Sequence, residues 1–236
     1  MIPLRDDIPT ETLPVVTVLL LAANCLAFFY QLSLGPAASE FIVSLGVTPF
    51  DVMHGVEPGS VPRVPLEFTF VTSMFLHGGF LHLGGNMMFL WIFGNNVEDS
   101  VGHVRFLLFY LLCGLAAAGA HVWLNPGSRL PMIGASGAIS GVLGAYFLLY
   151  PRAKVLTLIP IGFFLQTILV PAAFFLGFWF FLQVFSGWSS FGGQKGGVAW
   201  FAHVGGFLAG LPLLLVFKKR KVRLWSSRTG WQRRAW

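Results

Sequence analysis

The sequence predicts an all-α polytopic membrane protein, a bundle of six transmembrane helices, and three observations carry that prediction. Of the 236 residues, 56% are hydrophobic and only 10% charged, with a mean hydropathy of +0.75. Soluble domains run about 25% charged, so this chain has too few polar groups to cover a globule in water. Apolar stretches near the roughly 20 residues that a helix needs to cross the hydrocarbon recur along the chain. The basic residues, finally, partition between alternate loops as the positive-inside rule requires. The same composition excludes a disordered chain, and 14 prolines with irregularly placed glycines exclude a collagen-like one.

In chain order the expected spans are 14–34, 80–97, 106–124, 132–150, a fifth within the charge-free run 155–194, and 199–217. The fifth is ambiguous, since that run has room for one helix or for a hairpin broken near Pro171. Charge arithmetic decides. With six spans and a cytoplasmic N-terminus, 12 Lys and Arg lie inside and only Arg63, Arg129 and Lys195 outside, whereas a seventh span degrades the ratio to 10:5. One fifth helix near 163–185 is therefore expected. The chain then divides into a cytoplasmic segment 1–13, a six-span domain 14–217 and a basic cytoplasmic tail 218–236. This reading makes it a multi-pass protein of the plasma or inner membrane of a prokaryote, with both termini cytoplasmic. A cleavable signal peptide is not expected, because Asp6, Asp7 and Glu11 precede an apolar run too long for an h-region.

The charges are segregated. Residues 1–99 hold all nine Asp and Glu against Arg5 and Arg63, whereas residues 100–236 hold 13 Lys and Arg and no acid. Eight of those cations fall in the tail, beside Trp225, Trp231 and Trp236. Next to a span, such a tail reads as an interfacial anchor touching anionic lipid, not as a nucleic-acid site. Cys25 and Cys113 sit singly in apolar runs and read as small buried hydrophobes. Between the first two spans lies a long loop, 35–79, punctuated by Phe41, Ile42, Leu45, Phe50, Phe68, Phe70 and Phe75, which suits a segment lying partly in the interface. No internal repeat is evident, which weighs against a repeat-built transporter.

Polar residues inside spans are costly and point to function. His82 and Asn86, at i and i+4, share one face of the second span. Ser136 opens the fourth within Gly134-Ala-Ser-Gly137, and His203 lies about one turn into the sixth, in Ala202-His-Val-Gly-Gly206. Each residue alone has a structural explanation: a serine among glycines packs helices closely, and a single histidine or asparagine bonds between helices. Together they say more. Gly137, Gly141 and Gly144 on one helix, and Gly206 and Gly210 on the other, let two backbones approach and bring the His203 imidazole within reach of the Ser136 hydroxyl. A hydroxyl needs such a base to become a nucleophile.

The set Thr72-Ser-Met-Phe-Leu-His77, His82-Leu-Gly-Gly-Asn86, Gly94 with Glu98 and Gly102, Gly134-Ala-Ser-Gly137 and Ala202-His-Val-Gly-Gly206 resembles the rhomboid family of intramembrane serine proteases, in order and approximate spacing. The resemblance covers roughly residues 14–217. It implies that Ser136 is the nucleophile and His203 the general base. His82, Asn86 and the Ser136 backbone N–H would stabilise the oxyanion, His77 would brace the long loop, and Glu98 would be structural at the inner end of the second span. Gly134, Gly137, Gly206 and Gly210 become supports of the site.

The residues themselves agree with a Ser–His dyad, since no acid follows Asp99 and none of the nine lies in a span core. Helix packing would then have to fix the orientation that a triad's third member supplies. The 15 residues from Ser136 to Tyr150 span about 22 Å, short of the roughly 30 Å core, so the serine is expected below the membrane surface in a water-accessible cavity. The glycine-rich stretch 186–197 reads as a flexible cap. Two departures from the family pattern stand out. Phe68-Thr69 occupies the place of the family's Trp-Arg, and Ser140 that of an aromatic packed on the histidine, so His203 needs another neighbour, such as a phenylalanine of span five or six. Cleavage of single-span membrane proteins, with no metal or organic cofactor, is the leading expectation. A non-catalytic rhomboid-like protein that binds membrane clients is the alternative, and a small-solute transporter a more distant one.

Overall fold

The computed structural model describes residues 1–56, 64–162, 164–189 and 199–226, and its architecture is predominantly helical. Among these residues four helices are long and apolar enough to cross a membrane: α1 (Val15–Ser33), α7 (His103–Leu124), α9 (Ala172–Ser189) and α10 (Trp200–Phe217). Short helices α2 (Ala38–Leu45), α3 (Pro49–His54) and α4 (Leu66–Thr72) occupy the loop after α1. Helix α5 (Phe80–Phe89) runs through a π-turn at Leu90–Gly94 straight into α6 (Asn95–Val101), with the junction residues Phe89, Leu90, Gly94 and Asn95 all in the right-handed helical region. Helix α8 (Ser136–Leu149) has 14 residues, nearly all buried, and forms the centre of the bundle. Around it pack Leu90, Phe93, Phe106, Phe109, Tyr110 and Phe175, while Leu19, Leu26, Phe29, Trp123 and Val216 face outward. A buried centre inside an apolar exterior is the arrangement of a multi-pass membrane protein.

Two sequence expectations need correction. The chain is not all-α, and its fifth long helix does not begin near residue 163. Strands β2 (Lys154–Ile161) and β3 (Phe164–Pro171) form an antiparallel hairpin, and β1 (Ile2–Arg5) adds to β2, with Ile2 opposite Leu158. Helix α9 starts only after Pro171, so Pro171 separates a strand from a helix instead of two helices. The physical reason is local. Val155, Thr157, Ile159, Ile161, Thr167, Ile168 and Val170 are β-branched, and Gly162, at φ +59°, turns the chain between the strands. A continuous apolar run does not by itself distinguish such strands from a helix.

The long loop is fixed by its backbone. Val47 and Met132 exchange N–H···O bonds of 3.1 and 2.7 Å, the Phe50 N–H donates to Ser128 O, and the Thr72 hydroxyl donates to Leu45 O. The Arg129 guanidinium lies 4.0 Å from the centre of the Phe50 ring. Phe68 points outward and Thr69 is buried with its hydroxyl on Leu66 O, so this loop docks without help from the Phe68 ring. The segment 190–198, which includes most of the expected cap, and the tail beyond Ser226 lie outside the described residues.

Far from Ser136, carboxylates gather at the opposite ends of α8 and of the α5–α6 helix. Glu98, almost fully buried, accepts the Val16 and Thr17 N–H groups at 2.9 and 2.8 Å and the Thr17 hydroxyl at 2.7 Å, and His103 Nδ1 lies 2.6 Å away. Those are the otherwise unpaired amides that begin α1. Asp99 accepts the Glu11 and Thr12 N–H groups and the Thr12 hydroxyl. Asp6 accepts the Tyr146 hydroxyl at 2.5 Å and the Asn96 amide at 2.6 Å, and Asp7 accepts the Lys154 N–H. Burial pushes the Asp6 carboxyl up to about 7; the Tyr146 bond opposes this and the neighbouring Asp7 charge adds to it.

Candidate active site

The site is built where α8 and α10 meet with almost nothing between their backbones. A Cβ on Gly206 would collide with the Gly137 carbonyl oxygen, one on Gly210 with that of Gly141, and one on Gly144 with that of Phe207. Only glycine fits those positions. Gly137 itself faces Ala117 of α7, where an added Cβ would sit 2.7 Å from the alanine methyl. This approach carries His203, in the first turn of α10, over Ser136, the first residue of α8, and puts His203 Nε2 2.8 Å from Ser136 Oγ. His203 is 9% exposed while Ser136 stays part-buried, so the hydroxyl is the more accessible member of the pair.

The turn leading into α8 is equally constrained. Gly134 has φ +120°, a conformation that side-chain-bearing residues rarely adopt, and a Cβ there would lie 2.7 Å from His82 Nε2. Its N–H donates to Ser73 O at 2.8 Å, which ties the end of the long loop to the turn before Ser136. His82 and Asn86 project from α5 toward this turn, with His82 Nε2 and Asn86 Nδ2 both beside Gly134. The tautomer of His82 follows from its other nitrogen. Nδ1 accepts the Gly78 N–H at 3.3 Å, so Nε2 carries the proton and faces Gly134 as a donor. Asn86 Nδ2 donates one hydrogen to His77 Nε2 at 3.0 Å and keeps a second. Two side-chain donors therefore converge beside Gly134, in the turn that leads into α8, whose helix N-terminus already favours negative charge.

His77 is fully buried between α1 and α5. Its ring meets Phe28 and His82 edge to face, and its backbone is clamped by Gln31, whose amide donates to His77 O at 2.7 Å and accepts the His77 N–H at 3.3 Å. Glu98 lies at the other end of the helix that carries His82 and Asn86, on the first turn of α1. Ser140, where an aromatic would have packed on the histidine, donates its hydroxyl to Ser136 O at 2.6 Å.

The rings found against His203 among the described residues differ from the phenylalanine expected in place of Ser140. Two tryptophans flank His203 instead. Trp179 of α9 is tilted 34° to the imidazole at 6.0 Å, and Trp200 of α10 meets it edge-on at 6.2 Å. One further neighbour escaped the sequence reading: Gln183 of α9, buried, with Oε1 2.7 Å from His203 Nδ1. The signal was present, since a lone amide in an apolar helix follows the same rule that singled out His82 and Asn86. The misplaced start of the fifth helix concealed which face Gln183 occupied. Among the described residues no three His, Cys, Asp or Glu side chains are grouped to hold a metal ion.

Comparison with known proteins meets this geometry from a separate direction. The family model for the rhomboid domain matches residues 67–220, well over half of the chain and inclusive of every residue from His77 to Gly210 named above. The chain belongs to the rhomboid family of membrane proteins. It is 37% identical over 97 residues to the mitochondrial rhomboid protein 1 of Saccharomyces cerevisiae, covering 39% of this chain and 28% of that one. It is 32% identical over 212 residues to the rhomboid protease GluP of Bacillus subtilis, covering 88% of this chain and 37% of the relative. The chloroplastic rhomboid-like protein 11 of Arabidopsis thaliana matches over 161 residues at 31% identity, 66% of this chain and 54% of its own. The chain thus spans between about a quarter and about half of the length of these relatives.

Proposed function

We propose that the protein is an intramembrane serine endopeptidase that cleaves single-span membrane proteins with the pair Ser136 and His203. The observation that carries this reading is the 2.8 Å contact from His203 Nε2 to Ser136 Oγ. Ser136 Oγ attacks the scissile carbonyl carbon as His203 Nε2 takes the hydroxyl proton. The resulting oxyanion receives hydrogen bonds from His82 Nε2–H, the second Asn86 amide hydrogen and the Ser136 backbone N–H. Collapse breaks the C–N bond, and the proton passes from His203 to the leaving amine. Water then attacks the acyl ester, with His203 again the base, and the carboxylic product leaves Ser136 free.

In this reading α1, the α5–α6 helix, α7, α8, α9 and α10 are the six spans, and both termini lie in the cytoplasm on the 12:3 distribution of Lys and Arg. The Ser136 end of α8 then faces the outer side of the membrane, and substrates are cut near that face, where a substrate helix has to unwind locally to expose its backbone. The basic tail rests on anionic lipid. The relatives named as proteases, GluP among them, support the same activity.

The test is cleavage of a labelled single-span protein by the purified enzyme in liposomes, with Ser136→Ala and His203→Ala as controls. Each substitution is expected to lower turnover by roughly five to six orders of magnitude, to background, as loss of either member of a serine–histidine unit does elsewhere. Cleavage that survives Ser136→Ala would overturn the assignment. Retained, stoichiometric binding of the substrate by a wild type that neither cleaves it nor reacts with a fluorophosphonate would favour a client-binding rhomboid-like protein.

A further inference from the structure

We infer that Gln183 is a positioning residue that completes a Ser136–His203–Gln183 relay, fixing the imidazole in the one tautomer that can take the serine proton. The inference rests on the reading of Ser136 and His203 as the working pair and extends it to a third helix. The sequence offered no carboxylate for this place. The structure puts a neutral amide there, supplied by α9, whereas serine and histidine come from α8 and α10.

The bonding pattern leaves one consistent assignment. Trp179 and Gln183 are four residues apart and so share a face of α9. Gln183 Nε2 donates to the Trp179 carbonyl oxygen at 3.2 Å, which settles which end of the amide is nitrogen and turns Oε1 toward His203. Oε1 has no hydrogen to give, so the 2.7 Å contact requires His203 Nδ1 to carry the proton. In a neutral imidazole Nε2 is then bare, and the 2.8 Å contact to Ser136 becomes O–H donating to nitrogen. With Nδ1 unpartnered the ring could place its proton on Nε2, facing Ser136 as a donor and useless as a base, which is the wrong-tautomer failure known for serine triads. The Trp179 and Trp200 rings flank the imidazole without exchanging a hydrogen with it; among the described residues Gln183 is the group that bonds Nδ1 and so discriminates between the two nitrogens. Asparagine fills this place in papain-like cysteine proteases, so a neutral amide is chemically sufficient. Gln183 is 6% exposed, so water is a poor substitute acceptor once the amide is gone.

The experiment compares wild type with Gln183→Leu, Gln183→Glu and, as a control of the same chemistry on an exposed strand position, Gln166→Leu, all purified in detergent. Inactivation by a fluorophosphonate separates the bond-forming rate from probe affinity. Gln183→Leu is expected to lower the limiting rate about 100-fold, the cost typical of a misplaced reacting group, with the affinity term within about twofold. Gln183→Glu keeps an acceptor oxygen and should stay within about tenfold of wild type, and Gln166→Leu should match it. In parallel, nitrogen-15 NMR of histidine-labelled protein, with His203 assigned through its loss in His203→Ala, should show a protonated Nδ1 in wild type that gives way in Gln183→Leu. A Gln183→Leu enzyme that reacts at the wild-type rate, or His203 nitrogen signals unchanged by that substitution, would overturn the relay and leave the Ser136–His203 reading intact. If wild type fails to react with the probe, the proteolytic reading falls instead. The NMR arm still decides, because loss of the protonated Nδ1 in Gln183→Leu supports the positioning role and its persistence overturns it.

Discussion

The two ends of the bundle solve the problem of polar groups in an apolar fold in opposite ways. At the Glu98 end, carboxyl groups gather backbone and side-chain donors: Glu98 takes the start of α1, Asp99 the residues before it, Asp7 the Lys154 N–H of β2, and Asp6 the Tyr146 hydroxyl near the end of α8 and the Asn96 amide. At the Ser136 end no named group is a carboxylate: Gln183, His203 and Ser136 form one hydrogen-bonded chain, and beside it Asn86 bonds His77 while His82 accepts the Gly78 N–H. Charge suffices where the task is permanent and structural. For the proposed proteolysis, in which a proton has to move, neutral partners would leave the charge to appear only in the transition state, which is the condition for selective stabilisation. A buried permanent charge would also carry a desolvation penalty of several kcal/mol.

That contrast can be broken from either side. The largest effect is expected from Gly206→Val, which drives a side chain into the Gly137 carbonyl and separates α8 from α10; the folded, monodisperse peak should be lost in size-exclusion chromatography. Glu98→Ala strands three donors of α1 and should destabilise by about 3–5 kcal/mol, read as a lower thermal midpoint, while the surviving folded fraction reacts with a fluorophosphonate at the wild-type rate. Asn86→Ala should do the reverse. It should cost about 3–4 kcal/mol of transition-state stabilisation, a fall of about 10²- to 10³-fold in turnover of a single-span substrate, with a smaller change in the thermal midpoint.

The smallest effect tests the charged end by pH. The folded-state value of Asp6, about 7, exceeds that of an unfolded aspartate, so the folded protein binds the extra proton and stability falls as pH rises from about 4 to 7. Asp6→Asn removes that slope. Its thermal midpoint should exceed that of wild type at pH 8, and the two should converge toward pH 4. Parallel midpoints across that range would show that the carboxyl is not held in its protonated form.

The site was more legible than the scaffold around it, for physical reasons. Ser136 and His203 announced themselves because glycine and alanine surround both, and close helix approach leaves such a trace in sequence. His82 and Asn86 showed through their helical spacing. The 154–171 hairpin did not, because in a membrane protein strands and helices are both apolar without interruption, and only the density of β-branched residues hinted at it. Missing the hairpin shifted the expected fifth helix and with it the face of Gln183. Trp179 was equally hidden, since nothing local distinguishes a tryptophan that contacts an imidazole from one that faces lipid.

Strand β1 also sets a timetable. Its partner β2 is made far later in synthesis, since Ile2 pairs with Leu158. At about 5–20 residues per second the ribosome needs roughly 10–30 s to cover that interval. During it, the first helix has been synthesised while Asp6 lacks Tyr146 and Asp7 lacks Lys154, groups that they later bind. The sheet is therefore a closing device, completed only when most of the helices have emerged, and the nascent chain carries an unpaired strand edge until then.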